Sequence, residues 1–493
     1  MLQQVTTKYG VLEGVKANES CMLFKGVPYA APPVGELRFH EPLPPIPWDG
    51  IRKCDTWGPA CPQNTHFTDH DPYGIEFYSE DDYPPVMNED CLYLNIWTPA
   101  KSPDEKLPVM MWMHGGGVQS GYSHEIEFDG EALAKRGVIV ITINYRLNIF
   151  GYFALKELTE ESEHHSSGNY GLQDQIQALR WIHENIAAFG GDPDNVMAFG
   201  QSGGGRSTQA LACSPLTKGI LHHVAIHSAG GILTGFGRMY REDLEKRGQK
   251  FMDMFHIPDV KALRAIPWEE LNQKFDEYAK TVGMFEGFNI CCDGWVLPEA
   301  PEDTILNGHH NDIDYIIGCT IEEISSMIGL GGRMNPMGAS VRGMARVNFE
   351  QGRKPMYMYC FERKLPGVRE NAFVNLAFHS SELWYVFGTM NRCWRPFEEK
   401  DYILSEQMMD YWTNFAKTGD PNRSGKEDAS SDHLSGNTST PERAYDLPVW
   451  EPCTAPDYLE MALSTEGCHM KNYDPDGEIR KIEEQLVEGT FKM

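Results

Sequence analysis

Short, nearly continuous apolar runs alternate with helical patterns through the middle of the chain, and this alternation restricts the fold more than any other feature. Val109–Met113, Val138–Ile143 and Val196–Phe199 are runs of the kind found in strands buried on both faces of a sheet. Apolar residues recur at helical spacing over 170–188, and Phe189-Gly190-Gly191 should end that helix. Strands separated by helices predict a parallel α/β sheet. Further strands are expected at 223–227, 313–317 and 356–361.

The N-terminal region follows a different pattern. Residues 4–30 are expected to form a β-meander with turns at Gly10 and Gly14. Residues 62–88 are rich in aromatic and acidic side chains and are interpreted as a long ordered loop. These strands should add an antiparallel edge to the sheet.

The domain organisation is expected to be simple, with a single domain over residues 1–493. The segment 420–446 is rich in Ser, Asp, Asn, Gly and Thr. It is interpreted as a mobile surface insertion, because strongly patterned sequence resumes at Leu447.

Composition excludes several classes of protein. The 493 residues carry a formal net charge of −28, which opposes binding to nucleic acid or to an anionic membrane. No apolar run approaches the length of a membrane span, and the N-terminal residues lack the apolar core of a secretion signal. A cytoplasmic location is therefore expected, unless a signal has been trimmed from a secreted protein. The 12 cysteines form neither a CxxC pair nor a Cys/His cluster, so we expect mostly reduced thiols and no metal.

The most specific local motif surrounds Ser202, in the sequence Gly200-Gln201-Ser202-Gly203-Gly204. It fits the pattern G-x-S-x-G, in which a tight strand-to-helix turn exposes a nucleophilic serine. The run 196–199 precedes it, and a helix-compatible stretch, Arg206–Cys213, follows it. A glycine-rich turn without chemistry is the alternative interpretation, so the motif needs support from elsewhere.

A second glycine-rich loop, His114-Gly115-Gly116-Gly117, directly follows the run Val109–Met113. Its backbone N–H groups can point at a developing oxyanion, because no side chain blocks the approach. A flexible turn is the alternative, but two such loops after two parallel strands favour catalysis. A serine nucleophile also needs an acid and a histidine base, which follow it in that order in α/β-hydrolases. The downstream histidines that the pattern leaves open include His222, His223, His227, His309, His310, His379, His433 and His469.

Ordered motifs along almost the whole chain resemble the type-B carboxylesterase family, which includes cholinesterases and bacterial para-nitrobenzyl esterases. Besides the HGGG loop they include FKGVPYA at 24–30, EDCLYLNIW at 89–97, NYR at 144–146, GNYGLQD at 168–174, FGGDP at 189–193, YWTNFA at 411–416 and TGDPN at 418–422. The resemblance implies an α/β-hydrolase fold with a central, mostly parallel sheet and N-terminal antiparallel strands. It also implies hydrolysis of a small-molecule carboxylic ester without a cofactor or metal.

The resemblance assigns roles to individual residues. Ser202 matches the nucleophile that becomes acylated, and His379 matches the base that takes its proton. Glu323 matches the acid that orients the histidine, with Glu322 as the alternative. The oxyanion donors would be the N–H groups of Gly116, Gly117 and Gly203.

Several positions depart from the family pattern. Thr320 and Ile324 stand where Asn and Gly are usual, and Gly203 stands where Ala is usual. Gln201 replaces the commoner Glu, which removes a negative charge that would support the imidazolium. Ser228 matches a serine that helps to hold the acid.

Two further pairs follow from the resemblance. Arg38 and Glu89 resemble a structural ion pair of the family, without a catalytic role. Cys61 and Cys91 correspond to a pair that closes a loop in secreted relatives, and a cytoplasmic location would leave them reduced.

Proteins with other functions share this fold and many of these motifs. A catalytically inactive, neuroligin-like binding protein would lack a complete triad, and an interfacial lipase should show an apolar lid. Cleavage of amides or carbamates by the same triad also stays open. The physiological ester and the oligomeric state do not follow from the sequence.

Access to the site can be judged from the segment that joins the acid to the base. His379 lies 56 positions after Glu323, a shorter distance than in the family. The segment holds little beyond one helix near 340–351 and the strand 356–361, so we expect an open mouth. Aromatic residues of 67–83 would then flank the opening, which favours bulky or aromatic esters over small choline-type ones.

Overall fold

A large mixed sheet flanked by helices organises the chain. The computed structural model describes residues 1–64, 71–78, 85–232, 238–283, 287–323, 335–423, 445–454 and 459–490. The strands are β1 (Gln4–Thr6), β2 (Val11–Asn18), β3 (Cys21–Pro28), β4 (Ile51–Cys54), β5 (Tyr93–Thr98), β6 (Leu107–Met113), β7 (Ile139–Ile143), β8 (Gly191–Gln201), β9 (His223–His227), β10 (Asp314–Thr320), β11 (Tyr357–Phe361), β12 (Leu459–Leu463) and β13 (His469–Asn472). The α-helices are α1 (Pro72–Phe77), α2 (Glu131–Ala134), α3 (Asn148–Tyr152), α4 (Lys156–Glu161), α5 (Tyr170–Asn185), α6 (Gly203–Cys213), α7 (Arg241–Met254), α8 (Val260–Ala265), α9 (Trp268–Val282), α10 (Pro301–Leu306), α11 (Pro336–Glu350), α12 (Leu383–Val386), α13 (Glu399–Thr418) and α14 (Glu478–Glu488).

The strand order is β1-β2-β3-β5-β7-β6-β8-β9-β10-β11-β12-β13, and β4 pairs with β2. The strands from β7 to β12 in this order are parallel to one another. The pairs β1–β2, β2–β3, β3–β5 and β5–β7 are antiparallel, as is the last pair, β12–β13. The predicted mostly parallel sheet with N-terminal antiparallel strands is therefore confirmed.

The periodic segments fold as their patterns predict. Each predicted strand from 109–113 to 356–361 overlaps a strand of the sheet, and every residue of β7 is buried. The helix expected over 170–188 is α5, continued by a 3₁₀ turn over Ile186–Phe189. It ends at Gly190, whose φ of 83° favours glycine.

The interpretation of 62–88 as a loop is wrong in part, because α1 lies within it. The Asp71 carboxylate accepts the backbone N–H groups of Tyr73 and Gly74, and Pro72 fills the first helical position. An N-cap aspartate before a proline is a helix-start signal that the aromatic and acidic composition concealed.

Some predicted features lie outside the described residues. These are 424–444 of the expected insertion, 67–70 and 79–83 of the aromatic segment, and 324–334 of the segment between acid and base. The helix expected near 340–351 corresponds to α11. None of the helices in the described ranges has the length and hydropathy of a membrane span.

Buried charge joins the N-terminal region to the helical layer. Arg38 donates to both carboxylate oxygens of Glu89 at 2.5 and 2.7 Å, and its remaining guanidinium nitrogen donates to the carbonyl of Ile266 at 2.6 Å. The contacts fit the structural role that the resemblance implied. Cys61 and Cys91 are both buried and form no disulfide bond.

Candidate active site

The predicted site residues follow the carboxyl ends of neighbouring parallel strands. Ser202 follows β8, Ser228 follows β9, and the HGGG loop follows β6. Glu323 lies three residues beyond β10, and His379 lies in the loop after β11. Because the carboxyl ends of parallel strands meet at one edge of a sheet, residues far apart in the chain can converge there.

Ser202 occupies a strained turn between β8 and α6. Its φ of 54° and ψ of −119° are unusual for a residue with a side chain. The turn is possible because its neighbours are glycines. A Cβ on Gly200 would lie 2.5 Å from the carbonyl oxygen of Gly204, and one on Gly204 would lie 2.1 Å from that of Met113. The sequence therefore fixes the serine at an abrupt strand-to-helix junction.

The predicted oxyanion donors lie against one another. A Cβ on Gly203 would come within 2.7 Å of the backbone nitrogen of Gly117, so glycine allows the HGGG loop to approach α6 closely. Gly116 and Gly117 have φ values of 88° and 63°, which suit glycine. In the described chain no hydrogen bond uses the N–H of Gly116, Gly117 or Gly203. The N–H of Ser202 is different, because it donates to the carbonyl of His227 at 3.0 Å.

The predicted acid and the predicted base are in direct contact. Nδ1 of His379 lies 2.5 Å from Oε2 of Glu323, and both side chains are buried. The other carboxylate oxygen accepts the backbone N–H and the hydroxyl of Thr320, both at 3.0 Å. Thr320, which departs from the family pattern, therefore helps to hold the Glu323 side chain.

Each partner shifts the pKa of the other. Burial by itself would raise the pKa of Glu323, but attraction to His379 and the hydrogen bonds that its carboxylate accepts outweigh burial and lower it. Burial would lower the pKa of His379, but the charge and hydrogen bond of Glu323 outweigh burial and raise it. The carboxylate is therefore ionised at neutral pH and can support an imidazolium.

The alternative acid, Glu322, points elsewhere. Its carboxylate accepts the backbone N–H of Ala377 at 2.8 Å and pairs with Lys364 at 3.1 Å. The structure thus brings Glu323 to His379 and holds Glu322 in other contacts.

The predicted nucleophile and the predicted base are not joined by a hydrogen bond. Within the described residues the Ser202 side chain makes no hydrogen bond, and Nε2 of His379 instead meets Nε2 of the Gln201 side chain at 3.1 Å. Such contacts in unliganded enzymes are often incomplete and tighten when substrate binds.

Glu382 is a buried carboxyl of this site that the sequence analysis did not single out. Burial, followed by repulsion from Glu323, raises its pKa to about 8, so it is mostly neutral at pH 7. The hydroxyl of Ser228 lies beside both carboxyls and helps to lower the pKa of each. The sequence feature that could have indicated Glu382 is its position, as an acidic residue three positions after His379.

An aromatic cluster contacts the backbone of His379. The hydroxyl of Tyr73 donates to the backbone carbonyl of His379 at 3.3 Å. Its ring meets that of Phe373 edge to face at 5.0 Å, and Phe373 stacks on Phe378 at 4.3 Å. One member of the predicted aromatic segment therefore lies next to the site.

A buried ion pair anchors the helix that carries Tyr73. Glu76 of α1 binds the guanidinium of Arg395 through both oxygens at 2.8 to 3.0 Å and accepts the indole N–H of Trp384 at 3.0 Å. Both charged side chains are 0% exposed. This anchor fixes α1 against the segment that follows His379.

Replacing Glu76 with glutamine should destabilise the protein by about 3–5 kcal/mol, because the charge of Arg395 stays buried without its partner. The free energy of unfolding in urea measures the effect. Glu131→Gln, which removes an exposed pair with Lys135, should cost under about 1 kcal/mol. Equal losses in the two variants would contradict an anchoring role for Glu76.

Comparison with known proteins identifies the family. The profile described as "Carboxylesterase family" matches residues 2–338 and 334–480. The chain belongs to the carboxylesterase family. It is 34% identical to the para-nitrobenzyl esterase of Bacillus subtilis (strain 168), over 85% of this chain and 90% of that protein. It is 33% identical to the medium-chain fatty acyl-CoA hydrolase precursor of Anas platyrhynchos, over 86% and 85% of the two chains.

Solved structures of carboxylesterases share the fold. A PNB esterase superposes with a TM-score of 0.80 at 29% identity, over 98% of this chain and 99% of that one. The carboxylesterase EST55 of Geobacillus stearothermophilus superposes with a TM-score of 0.77 at 30% identity, over 97% and 99% of the two chains. The predicted α/β-hydrolase fold is confirmed, and this carboxylesterase-family chain is a carboxylic ester hydrolase.

Proposed function

We propose that this carboxylesterase hydrolyses its ester through an acyl-serine intermediate with Ser202, His379 and Glu323 as the catalytic residues. The observation that carries the proposal is the buried contact of 2.5 Å between Glu323 and His379, beside a serine in a strained turn. An inactive binding protein would have no need to keep these three groups together.

Proton transfer through His379 drives both halves of the reaction. Nε2 of His379 takes the proton of the Ser202 hydroxyl as Oγ attacks the ester carbonyl, and then gives it to the departing alcohol. In the second half, the same nitrogen takes a proton from water, which attacks the acyl group and releases the acid. Ionised Glu323 stabilises the imidazolium that forms each time.

The glycine N–H groups would stabilise the tetrahedral intermediates. The N–H groups of Gly116, Gly117 and Gly203 have no partner in the described chain. Gly203 directly follows Ser202, and a Cβ on it would lie 2.7 Å from the backbone nitrogen of Gly117. Donors that are already oriented need no reorganisation when negative charge develops on the carbonyl oxygen. Removal of one such donor in other serine hydrolases typically costs about 10²–10³-fold in kcat.

Bulky or aromatic esters are the proposed substrate class. Support comes from Tyr73, whose hydroxyl donates to the backbone carbonyl of His379, and from Phe373, which packs against the Tyr73 ring. Rings of this kind can stack on an aryl group of the substrate. The Bacillus subtilis relative is named a para-nitrobenzyl esterase, and a para-nitrobenzyl ester carries an aromatic ring on its alcohol side. The open mouth predicted from the short segment after Glu323 would admit such groups.

A panel of esters tests the substrate class. We expect kcat/KM for para-nitrobenzyl and phenyl esters to exceed that for acetylcholine-type esters by about 10-fold or more, as stacked rings contribute roughly 0.5–1.5 kcal/mol each. Tyr73→Ala should lower the aryl preference by about 2–10-fold, and Tyr73→Phe, which keeps the ring, should preserve it. Faster hydrolysis of short acetyl esters of small alcohols would overturn the proposed class.

A further inference from the structure

The side chain of Gln201 contacts Nε2 of His379, the nitrogen through which a histidine base takes the proton of a serine. Gln201 is the last residue of β8 and lies directly before Ser202. Its Nε2 lies 3.1 Å from Nε2 of His379, and both side chains are buried, with exposed fractions of 2% and 6%. Because both side chains are so fully buried, water does not compete with either of them for this contact.

The direction of this hydrogen bond follows from the rest of the site. Nδ1 of His379 faces the carboxylate of Glu323, so Nδ1 carries a proton and donates it. In the neutral ring, Nε2 then holds a lone pair and can only accept. The amide nitrogen of Gln201 can only donate, so the contact fits the neutral imidazole and not the imidazolium.

The other end of the amide lies beside the HGGG loop. The side-chain oxygen of Gln201 is directed toward the loop, since a Cβ on Gly115 would lie 2.9 Å from it. The amide nitrogen is therefore the end that faces His379.

We propose that Gln201 is a positioning residue that donates its side-chain N–H to Nε2 of His379, holding the imidazole neutral and competing with the Ser202 hydroxyl for the single lone pair. The inference rests on the proposed function, because it assumes that His379 is the base. It adds that Gln201, directly before the nucleophile, determines when Nε2 of His379 is free to accept the proton of Ser202.

The competition between Gln201 and Ser202 for Nε2 also affects how readily His379 is protonated. An imidazolium at His379 would direct its Nε2–H at the amide N–H, which is unfavourable until the amide rotates to present its oxygen. Gln201 therefore opposes protonation of the base and extends activity to lower pH. A glutamate at this position would do the opposite, because its charge favours the imidazolium.

The other groups that face His379 are the same in every variant proposed below. Glu323 is ionised and contacts Nδ1, Glu382 is mostly neutral at pH 7, and the Tyr73 hydroxyl donates to the backbone carbonyl. Burial lowers the pKa of nearby His227 to about 3, so its ring is neutral across the working range.

The pH dependence of kcat/KM tests the proposal. Gln201→Glu should raise the acid-limb pKa by roughly one pH unit, so that kcat/KM at the wild-type midpoint falls about 5-fold. Gln201→Met keeps the size of the side chain but removes the donor, and should raise the same pKa by a smaller amount. Gln249→Glu adds the same charge on the exposed face of α7 and should leave the profile unchanged. An acid limb that is identical in the wild type and in both Gln201 variants would overturn the proposal.

Direct titration of His379 separates this inference from the proposed function. Ser202→Ala removes the nucleophile, and the ring of His379 can then be titrated by ¹³C NMR and assigned by its loss in His379→Gln. On this background Gln201→Glu should still raise the pKa of His379 by roughly one pH unit. Retained hydrolysis in Ser202→Ala would overturn the proposed function alone, whereas an unshifted His379 resonance would overturn the role of Gln201 alone. If Gln201→Glu does not fold, the smaller upward shift in Gln201→Met decides the question in the same way.

Discussion

Ser202→Ala is expected to leave a folded protein whose kcat for ester hydrolysis is lower by about 10⁴-fold or more, the scale of nucleophile deletions in serine hydrolases. The loss follows because no other described hydroxyl combines this strained turn with a position beside His379 and the glycine N–H groups. The change should affect the chemical step, so KM should change much less than kcat.

Two controls make the Ser202 result specific. Ser207→Ala, one turn along the same helix, removes a hydroxyl that contacts Gln175 and should leave kcat within a few-fold of the wild type. An organophosphate should label the wild type once per chain, and peptide mapping should place the label on Ser202. Labelling of a different serine, or near-normal turnover in Ser202→Ala, would contradict the mechanism.

The central strands of the sheet could be predicted because their signal is local. Buried strands such as β6 and β7 are continuous apolar runs, and α5 has the spacing of an amphipathic helix, so short windows of sequence suffice. The strained turn at Ser202 could be predicted for the same reason, because the close approach there requires glycines. β4, which is mostly exposed, and α7 to α9, which carry many charged residues, are not predicted from the sequence.

The choice of base could not be made from local pattern. His223 binds Asp314, an arrangement that resembles an acid–base pair, but both lie at the amino ends of β9 and β10, away from Ser202. His310 binds Asn348, and His227 accepts the indole N–H of Trp412. His433 lies outside the described residues. The loop after β11 brings His379 to Glu323, and the path of a loop is not encoded in a short motif, so only the family resemblance indicated it.

The contact between Gln201 and His379 is a second feature that could not be predicted from the sequence. The substitution of glutamine for glutamate predicted the loss of a negative charge near the imidazolium. It did not predict that the amide would donate to the nitrogen that must activate Ser202. A side-chain orientation of this kind depends on what surrounds it, here the HGGG loop on one side and the base on the other.

The other large effect expected is that of Glu323→Gln, which should lower kcat/KM by about 10³–10⁴-fold, as for the equivalent change in a serine protease. The geometry explains why a neutral isostere fails. One carboxylate oxygen accepts both the N–H and the hydroxyl of Thr320, so a glutamine would place its oxygen there and turn its amide N–H toward Nδ1 of His379. Nδ1 would then have to accept, Nε2 would carry the proton, and the ring could not take the proton of Ser202.

Glu322→Gln is the matched control, because it changes the adjacent residue by the same few atoms. Its oxygen can still accept the N–H of Ala377, and only the half-exposed pair with Lys364 is weakened. We therefore expect kcat/KM within a few-fold of the wild type. Single-turnover acylation with a para-nitrophenyl ester, followed as a burst, measures both variants at the step where His379 acts as the base. A reversed order, with Glu322→Gln slow and Glu323→Gln fast, would mean that the acid is Glu322 and that the loop beyond β10 rearranges when substrate binds.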